Sequence, residues 1–415
     1  MHHSHIEGFR RLTRVDHALK RFLEAVEIRQ VKSELRPIRE AVGRVLAADV
    51  VAPRNIPADN HSTVDGFAVR STHIQRVSSK SIVLEQIGES ILGKPCNAVL
   101  HKGQTITVAT GSILPKGADS VVPIEDVGFL PSGRISVSRR VLRGQNTVHR
   151  GEDVSQGKIV LKKGACLRPQ DLGLLKAMGL QKVSLTTKPR VALISTGSEL
   201  AETVQKAVSG QVVDINRLIL SSMLTHAGGV AVDLGIVKDR RRIIMNALKK
   251  AIGFSDLVLV SGGSSVGERD LIPSCIGALG KPGMLVHGVA MRPSMPTGLA
   301  VVHDTPIISL PGFPVSAMFA FLVFGRPMIT KLGGRPVADR IEKVVLAEGV
   351  KGVKGFRTFI RVNLRKTPKA LFAEPVRSQK SSVLMSMVAA DGYVTVPEDV
   401  AEIRAGHSVE VTLFT

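Results

Sequence analysis

From Lys188 onward the chain lays down four short, nearly continuous apolar runs: RVALISTG, VDLGIV, DLVLVSGG and PIISLPG. They alternate with stretches of helical periodicity, DINRLILSSMLTHAGG, DRRRIIMNALKKAI and PVSAMFAFLVFGRPMI. A strand that is apolar at every position is buried on both faces. Alternation of such strands with helices builds βαβ units around a parallel sheet. Three of the four runs end in a loop of small residues, at the edge where open α/β sheets bind ligands.

Those three loops are candidate sites. In DLVLVSGGSSVGERD the strand runs into Ser261, Gly262, Gly263, Ser264, Ser265 and Gly267, with Asp270 close behind. Glycines let backbone N–H groups approach an anion, serines add hydroxyl donors, and a carboxylate suits Mg²⁺. The competing reading is a strand-to-helix connection with Asp270 as N-cap. VALISTGSEL repeats the pattern with Ser195, Thr196, Gly197, Ser198 and Glu199. SLPGFPVSAM offers Pro311, Gly312 and Pro314 before a helix, either as a rigid helix entry or as an anion site. Three loops at one sheet edge say more together than any one alone.

The remaining chain reads differently. Residues 9–30 have helical spacing with a start near Val15 and Asp16, and residues 36–50 continue in the same amphipathic style. Residues 55–149 carry short β-like runs, SIVLEQI, QTITVAT, SVVPIEDV and RISVSRRV, between turn residues. There Asp65-Gly66 has the form of a hairpin turn. Thr110, Asp119, Glu125, Arg150, Glu152 and Asp153 cluster near turn glycines. After Gly334, the runs RIEKVVLAEG, RTFIRVNL and SVEVTLF indicate a small C-terminal β-domain.

Composition narrows the function. A chain of 415 residues exceeds one core, so about two to four domains are expected. No apolar run reaches the roughly 18 residues of a membrane span, and MHHSHIEGFRRLT lacks the apolar segment of a signal peptide. His2, His3 and His5 in that stretch read as a solvated terminus rather than a metal site. Cys96, Cys166 and Cys275 are odd in number and far apart, which fits a reducing cytoplasm. The formal charge is +21 and the pI about 10.3. Nucleic acid is one reading, but the basic residues are dispersed and no aromatic–basic stacking pattern accompanies them. An anionic small molecule suits the same charge.

The segments STVDGFAVR, ATGSILPKGADSVV, RGEDVSQG, STGSEL, GQVVDINRLIL, SGGSSVGERD and LPGFPVS occur in this order. In them the chain resembles the molybdopterin molybdenumtransferases, the MoeA family, whose eukaryotic counterpart is the gephyrin E-domain. The resemblance runs from about Val15 to Phe414. It implies a multidomain α/β fold. The parts would be an elongated α/β segment (1–54 with 150–187), an inserted β-rich domain (55–149), a doubly wound molybdopterin-binding domain (188–335) and a C-terminal β-domain (336–415). It further implies a homodimer that inserts molybdate, or tungstate, into adenylylated molybdopterin with Mg²⁺, releasing AMP. A molybdopterin adenylyltransferase is the candidate partner.

By resemblance the catalytic positions are Asp65, Thr110, Asp153, Glu199, Asp239 and Asp270, with Glu199 and Asp270 as metal ligands. The pterin nucleotide would meet Ser195, Thr196, Gly197, Asn216 and the Ser261–Gly267 loop. Arg292, Pro311, Gly312, Pro314 and Ser381 would complete that site. The family's KPGKP-type loop is here MRPSMPTG, with Ser294 for Gly. Its QGSGxL pattern is QKSSVL, with Lys380 for Gly, and LPGNPVS is LPGFPVS, with Phe313 for Asn. This thinning of cations and donors leaves a second expectation, a non-catalytic or divergent paralogue that binds the pterin nucleotide or a partner protein.

Overall fold

The first amphipathic stretch forms helix α1, Val15–Glu24, which buries Val15, Ala18 and Phe22 at helical spacing. The computed structural model describes residues 12–27, 32–75, 81–262, 271–336, 338–368 and 370–414. The readings made on His2, His3, His5, Gly263, Ser264, Ser265, Gly267 and Asp270 lie outside these residues. The chain divides into two units, one of residues 1–34, 43–45 and 185–415 and the other of 35–42 and 46–184.

In the first unit the four apolar runs become strands of one six-stranded sheet. In chain order the elements are β1 (Arg190–Thr196), α2 (Asn216–His226), β2 (Val230–Val237), α3 (Arg241–Ile252) and β3 (Leu257–Ser261). Then follow α4 (Leu271–Leu279), β4 (Pro282–His287), β5 (Gly298–Val302), β6 (Thr305–Leu310), α5 (Pro314–Ala320) and α6 (Arg326–Lys331). The strand order is β2-β1-β3-β6-β5-β4. The first four are parallel, as the apolar runs indicate, and β5 and β4 extend the sheet as an antiparallel edge.

Strand β1 shows why its run is apolar throughout. Val191 and Leu193 face one core with Phe22 of α1, Leu220 and Leu224 of α2 and Phe319 of α5. Ala192 and Ile194 face the other, with Ile244 and Leu248 of α3 and Ile272 and Ile276 of α4. Helices therefore cover both faces, and burying each Val, Leu or Ile contributes about 2 kcal/mol.

Toward the end of the same unit, one sheet is built from β7 (Ile341–Leu346), β8 (Arg357–Lys366), β9 (Leu371–Pro375), β10 (Gly392–Val396) and β11 (Ser408–Leu413). Their order is β8-β9-β7-β11-β10, and β8 also pairs with β10, so the sheet closes into a barrel without free edges. Val344, Leu346, Val362, Val394 and Val411 fill it. Outside, Phe359 stacks on Phe319 at 5.0 Å, and the Arg357 guanidinium grips Asp16 of α1 at 2.7 and 2.9 Å.

The second unit holds another six-stranded sheet. Its order is Ser120–Pro123, Gly66–Val69, Gln104–Val108, Ile82–Ser90, Arg134–Val137 and Val127–Leu130. All four expected β-like runs contribute to it. Two expectations are overturned. Residues 36–50 form no α-helix, only a three-residue turn of 3₁₀-helix at Ile38–Glu40. Gly43 takes φ +72°, and the N–H groups of Leu46 and Ala47 bond instead to Ala165 and Ser184 carbonyls far along the chain. Nor is Asp65-Gly66 a hairpin turn. Gly66 opens a strand, and a Cβ there would stand 2.1 Å from the Val122 carbonyl oxygen. Glycine is required by close backbone approach rather than by a turn.

Candidate functional site

Three of the small-residue loops meet at the carboxyl edge of the parallel strands. Ser195 of β1 is in register with Ser261 of β3, and Ser261 with Leu310 of β6. The Ser195 and Ser261 hydroxyls are 3.0 Å apart. Gly262 sits at φ +93°, and a Cβ on it would stand 2.1 Å from the Thr196 carbonyl oxygen. Only glycine lets the two loops come this close. Its N–H donates to Leu310 O at 3.2 Å. Asn216, first residue of α2, donates from Nδ2 to Gly312 O at 2.8 Å and so holds the third loop. The chain leaves β1 for β2 on one side and leaves β3 for β4 to β6 on the other, which makes the edge between β1 and β3 a topological switch point. Buried here without hydrogen-bond partners among the described residues are Thr196 Oγ1 and Asn216 Oδ1. Pro311 is buried at the strand end, and Pro314 is at the first turn of α5, with Phe313 as its N-cap.

Two carboxylates flank Ser198 on the same edge. Asp239 Oδ2 accepts from Ser198 N at 3.1 Å. The Glu199 carboxylate folds back over Gly197, with Oε1 2.6 Å from where a Cβ would be. Both are exposed, and neither is in an ion pair among the described residues. Nearby acids are differently employed. Arg217 of α2 binds Asp214, Glu202 and Asp233 at 2.6, 2.6 and 2.7 Å. Burial opposes its charge, but the three carboxylates hold its pKa above the ordinary arginine value. No group of three or more potential metal ligands stands together among the described residues.

A second feature lies where the MRPSMP loop meets the barrel. Met291–Arg292 pairs in parallel with Arg357 and Thr358 of β8. Beside this pairing is a cleft of about 480 Å³ whose lining includes Arg292, Lys351, Thr358, Gln379 and Ser381 and, among the described residues, no carboxylate. Arg292 and Ser381, named separately in the sequence, thus share one cavity. Arg292 also lies over the Phe356 ring at 5.0 Å. Ser294 adopts φ +90°, where glycine is at ease, and its Oγ donates to Ser316 O at 2.6 Å. That bond ties the loop to α5.

Beneath the Ser378–Ser381 loop is Arg361 of β8, fully buried. Its Nη2 donates to Ser378 O at a long 3.4 Å, while Nε and Nη1 have no partner among the described residues. Burial pushes its pKa down to about 10. Arg361 and Lys351 were not singled out from the sequence. The signal was there: in RTFIRVNL, Arg361 falls in period-two phase with Phe359, a cation on a strand face that otherwise packs.

In the β-rich unit, Asp65 and Thr110 come together. Asp65 Oδ1 accepts from Thr110 N at 2.7 Å and from Thr110 Oγ1 at 2.9 Å. These two bonds hold the Asp65 carboxyl below its ordinary value. Asp153 is exposed and makes no side-chain hydrogen bond among the described residues. Asp119 is spent on Ser71 N and Oγ, and Glu152 caps His149 N at 2.7 Å.

A doubly wound sheet, a closed β-barrel bordering a cleft that holds Arg292 and Lys351, and a separate β-rich unit define a multidomain α/β protein. Comparison with known proteins gives the family. Residues 13–179 match the MoeA N-terminal region (domains I and II), 192–331 a probable molybdopterin binding domain, and 343–414 the MoeA C-terminal region (domain IV). Molybdopterin molybdenumtransferase 2 of Mycobacterium tuberculosis is 32% identical over 382 residues, 90% of this chain and 93% of that protein. The molybdopterin molybdenumtransferase of Haemophilus influenzae is 29% identical over 406 residues, 96% and 98% of the two chains. A solved molybdopterin biosynthesis MoeA protein of Pyrococcus horikoshii superposes with a TM-score of 0.83 at 32% identity, over 97% of this chain and 100% of that one. The chain belongs to the molybdopterin molybdenumtransferase (MoeA) family, transferases of molybdenum cofactor biosynthesis.

Proposed function

We propose that the protein inserts molybdate or tungstate into adenylylated molybdopterin in a Mg²⁺-dependent reaction that releases AMP. The observation that supports this most is the cation-lined cleft. Molybdate is a divalent tetrahedral oxyanion and needs several convergent donors. Arg292, Lys351 and Ser381 line a cavity with no carboxylate among the described residues, and the nearby buried Arg361, whose backbone N–H bonds to the lining residue Gln379, keeps two donors unpaired among those residues. A buried cation lacking its anion is costly, so an oxyanion ligand satisfies both sides.

At the sheet edge, the N–H groups and hydroxyls of Ser195, Thr196, Gly197, Ser261 and Gly262 suit the phosphates of the pterin nucleotide. Asn216, Pro311, Gly312 and Pro314 keep that loop rigid. Glu199 and Asp239 are hard oxygen donors, exposed and without a cation partner among the described residues, which fits Mg²⁺. Bound Mg²⁺ would offset the phosphoanhydride charge as AMP departs. In the β-rich unit, Asp65 with Thr110, and Asp153, are the polar groups for substrate. Positioning and electrostatics, not covalent work by the protein, then account for the rate.

The same reading makes the protein a cytoplasmic homodimer of the four domains outlined from the sequence, supplied by a molybdopterin adenylyltransferase. The three free cysteines support that compartment. The test is purified protein with adenylylated molybdopterin, Mg²⁺ and either oxyanion, scored for AMP release and metal incorporation. Both products should form, and chelation or Glu199→Gln should suppress them. A folded protein that turns over neither oxyanion refutes the reading and leaves a pterin-nucleotide binder.

A further inference from the structure

We propose that Phe313 is a specificity-determining residue, its ring the platform on which a flat heteroaromatic part of the substrate stacks. The inference rests on the transferase reading for the identity of that ring, pterin or adenine. It rests on the structure for the site.

Phe313 is 58% exposed, whereas Phe319, Phe321 and Phe324 a few residues on are at most 1% exposed. A phenyl ring left in water is common enough at scattered positions. This one is fixed at the binding edge. It is the N-cap of α5 with φ −72° and ψ 132°, and Pro314 follows at the first helical turn. Gly312, just before it, has its carbonyl held by Asn216 at 2.8 Å and sits against Gly262, where a Cβ on Gly312 would be 3.8 Å from the Gly262 Cα. Pro311, Gly312 and Pro314 thus present an aromatic face from a backbone with little freedom, which lowers the entropy lost on stacking.

A second observation points to a ligand. Thr196 and Asn216, 1% and 7% exposed, each keep a polar atom without a partner among the described residues beside this loop. The ring nitrogens and exocyclic amine of a pterin or adenine provide matching donors and acceptors. A flat ring with a hydrogen-bonding edge is the ligand class that uses both features, an aromatic face and unfilled polar groups.

The chain contains no Trp, so Phe313→Trp introduces a single indole at the site. The probes are AMP and 6-hydroxymethylpterin, titrated separately. A probe that stacks should quench the indole saturably. By equilibrium dialysis, Phe313→Ala should weaken that probe about tenfold, while Phe313→Tyr stays within about twofold of wild type. Quenching by AMP alone assigns the adenine, and quenching by the pterin alone assigns the pterin. In turnover, Phe313→Ala should raise KM for adenylylated molybdopterin more than it lowers kcat. If neither probe quenches, or Phe313→Ala binds both as wild type does, the platform is overturned. Wild-type turnover read alongside separates the two ideas, because a working transferase with Phe313-independent binding refutes only the platform.

Discussion

Replacing Arg361 by Met should make the barrel more stable and the enzyme worse. The guanidinium is fully buried, and its one hydrogen bond among the described residues is a long one, 3.4 Å to Ser378 O. Burial holds its pKa at about 10. A depression of that size from the ordinary arginine value corresponds to a cost of ~3 kcal/mol for the charged form. Met has similar length and no charge, and exchanging buried ions for apolar side chains is commonly neutral or stabilising by about 1–4 kcal/mol. The backbone bonds of residue 361, from its N–H to Gln379 Oε1 and from Val376 N to its carbonyl, do not involve the side chain and persist. We expect a gain of about 1–3 kcal/mol in urea unfolding. The chain's only tyrosine, Tyr393, is the direct ladder partner of Arg361, so tyrosine emission reports this barrel. The sign also has a pH signature. The folded pKa lies below the unfolded one, so the unfolded chain binds more protons between them. Wild-type stability therefore gains from this group as pH rises from about 10 toward the ordinary arginine value, and the Met variant lacks that gain. In turnover, loss of a charge-assisted contact should raise the KM for molybdate roughly 10–100-fold. A variant less stable than wild type would show that the arginine is effectively paired. An unchanged KM would remove it from oxyanion binding.

Gly262→Ala forces a Cβ to within 2.1 Å of the Thr196 carbonyl oxygen at φ +93°. Strain and overpacking together should cost on the order of 3 kcal/mol, read as a lower urea midpoint by far-UV circular dichroism. Wild-type stability would mean that the β1 and β3 loops are not this close. In the other unit, Asp65 should titrate below its ordinary value by carboxyl NMR, with the backbone bond from Thr110 as first cause and the Thr110 hydroxyl as second. Thr110→Val should raise that pKa partway, since the backbone bond remains. Because the folded pKa is depressed, the pair's contribution is present above the unfolded value and is lost as pH falls through the folded one. No upward shift in the variant would remove the hydroxyl from the account.

Much of the first unit was legible because burial writes itself locally. A strand covered on both faces must be apolar at successive positions, as Val191 to Ile194 are, and each such run must exit through residues that tolerate a crowded edge. That determined the doubly wound sheet, the common edge of the STGSEL, SGG and LPGFPVS loops, and the β character of the C-terminal domain. What the tertiary structure alone decided are matters of partnership. The stretch 36–50 has helical periodicity, yet its N–H groups found carbonyls more than a hundred residues away. Gly66 resembled a turn residue and is instead a strand position pressed on Val122. The pairing of Met291–Arg292 with β8 brings Arg292 and Ser381 to one cleft, and the packing around β8 buries Arg361 with one long hydrogen bond among the described residues. Periodicity records how much water a position sees. Which donor meets which acceptor, and which is left unmet, depends on segments distant in sequence.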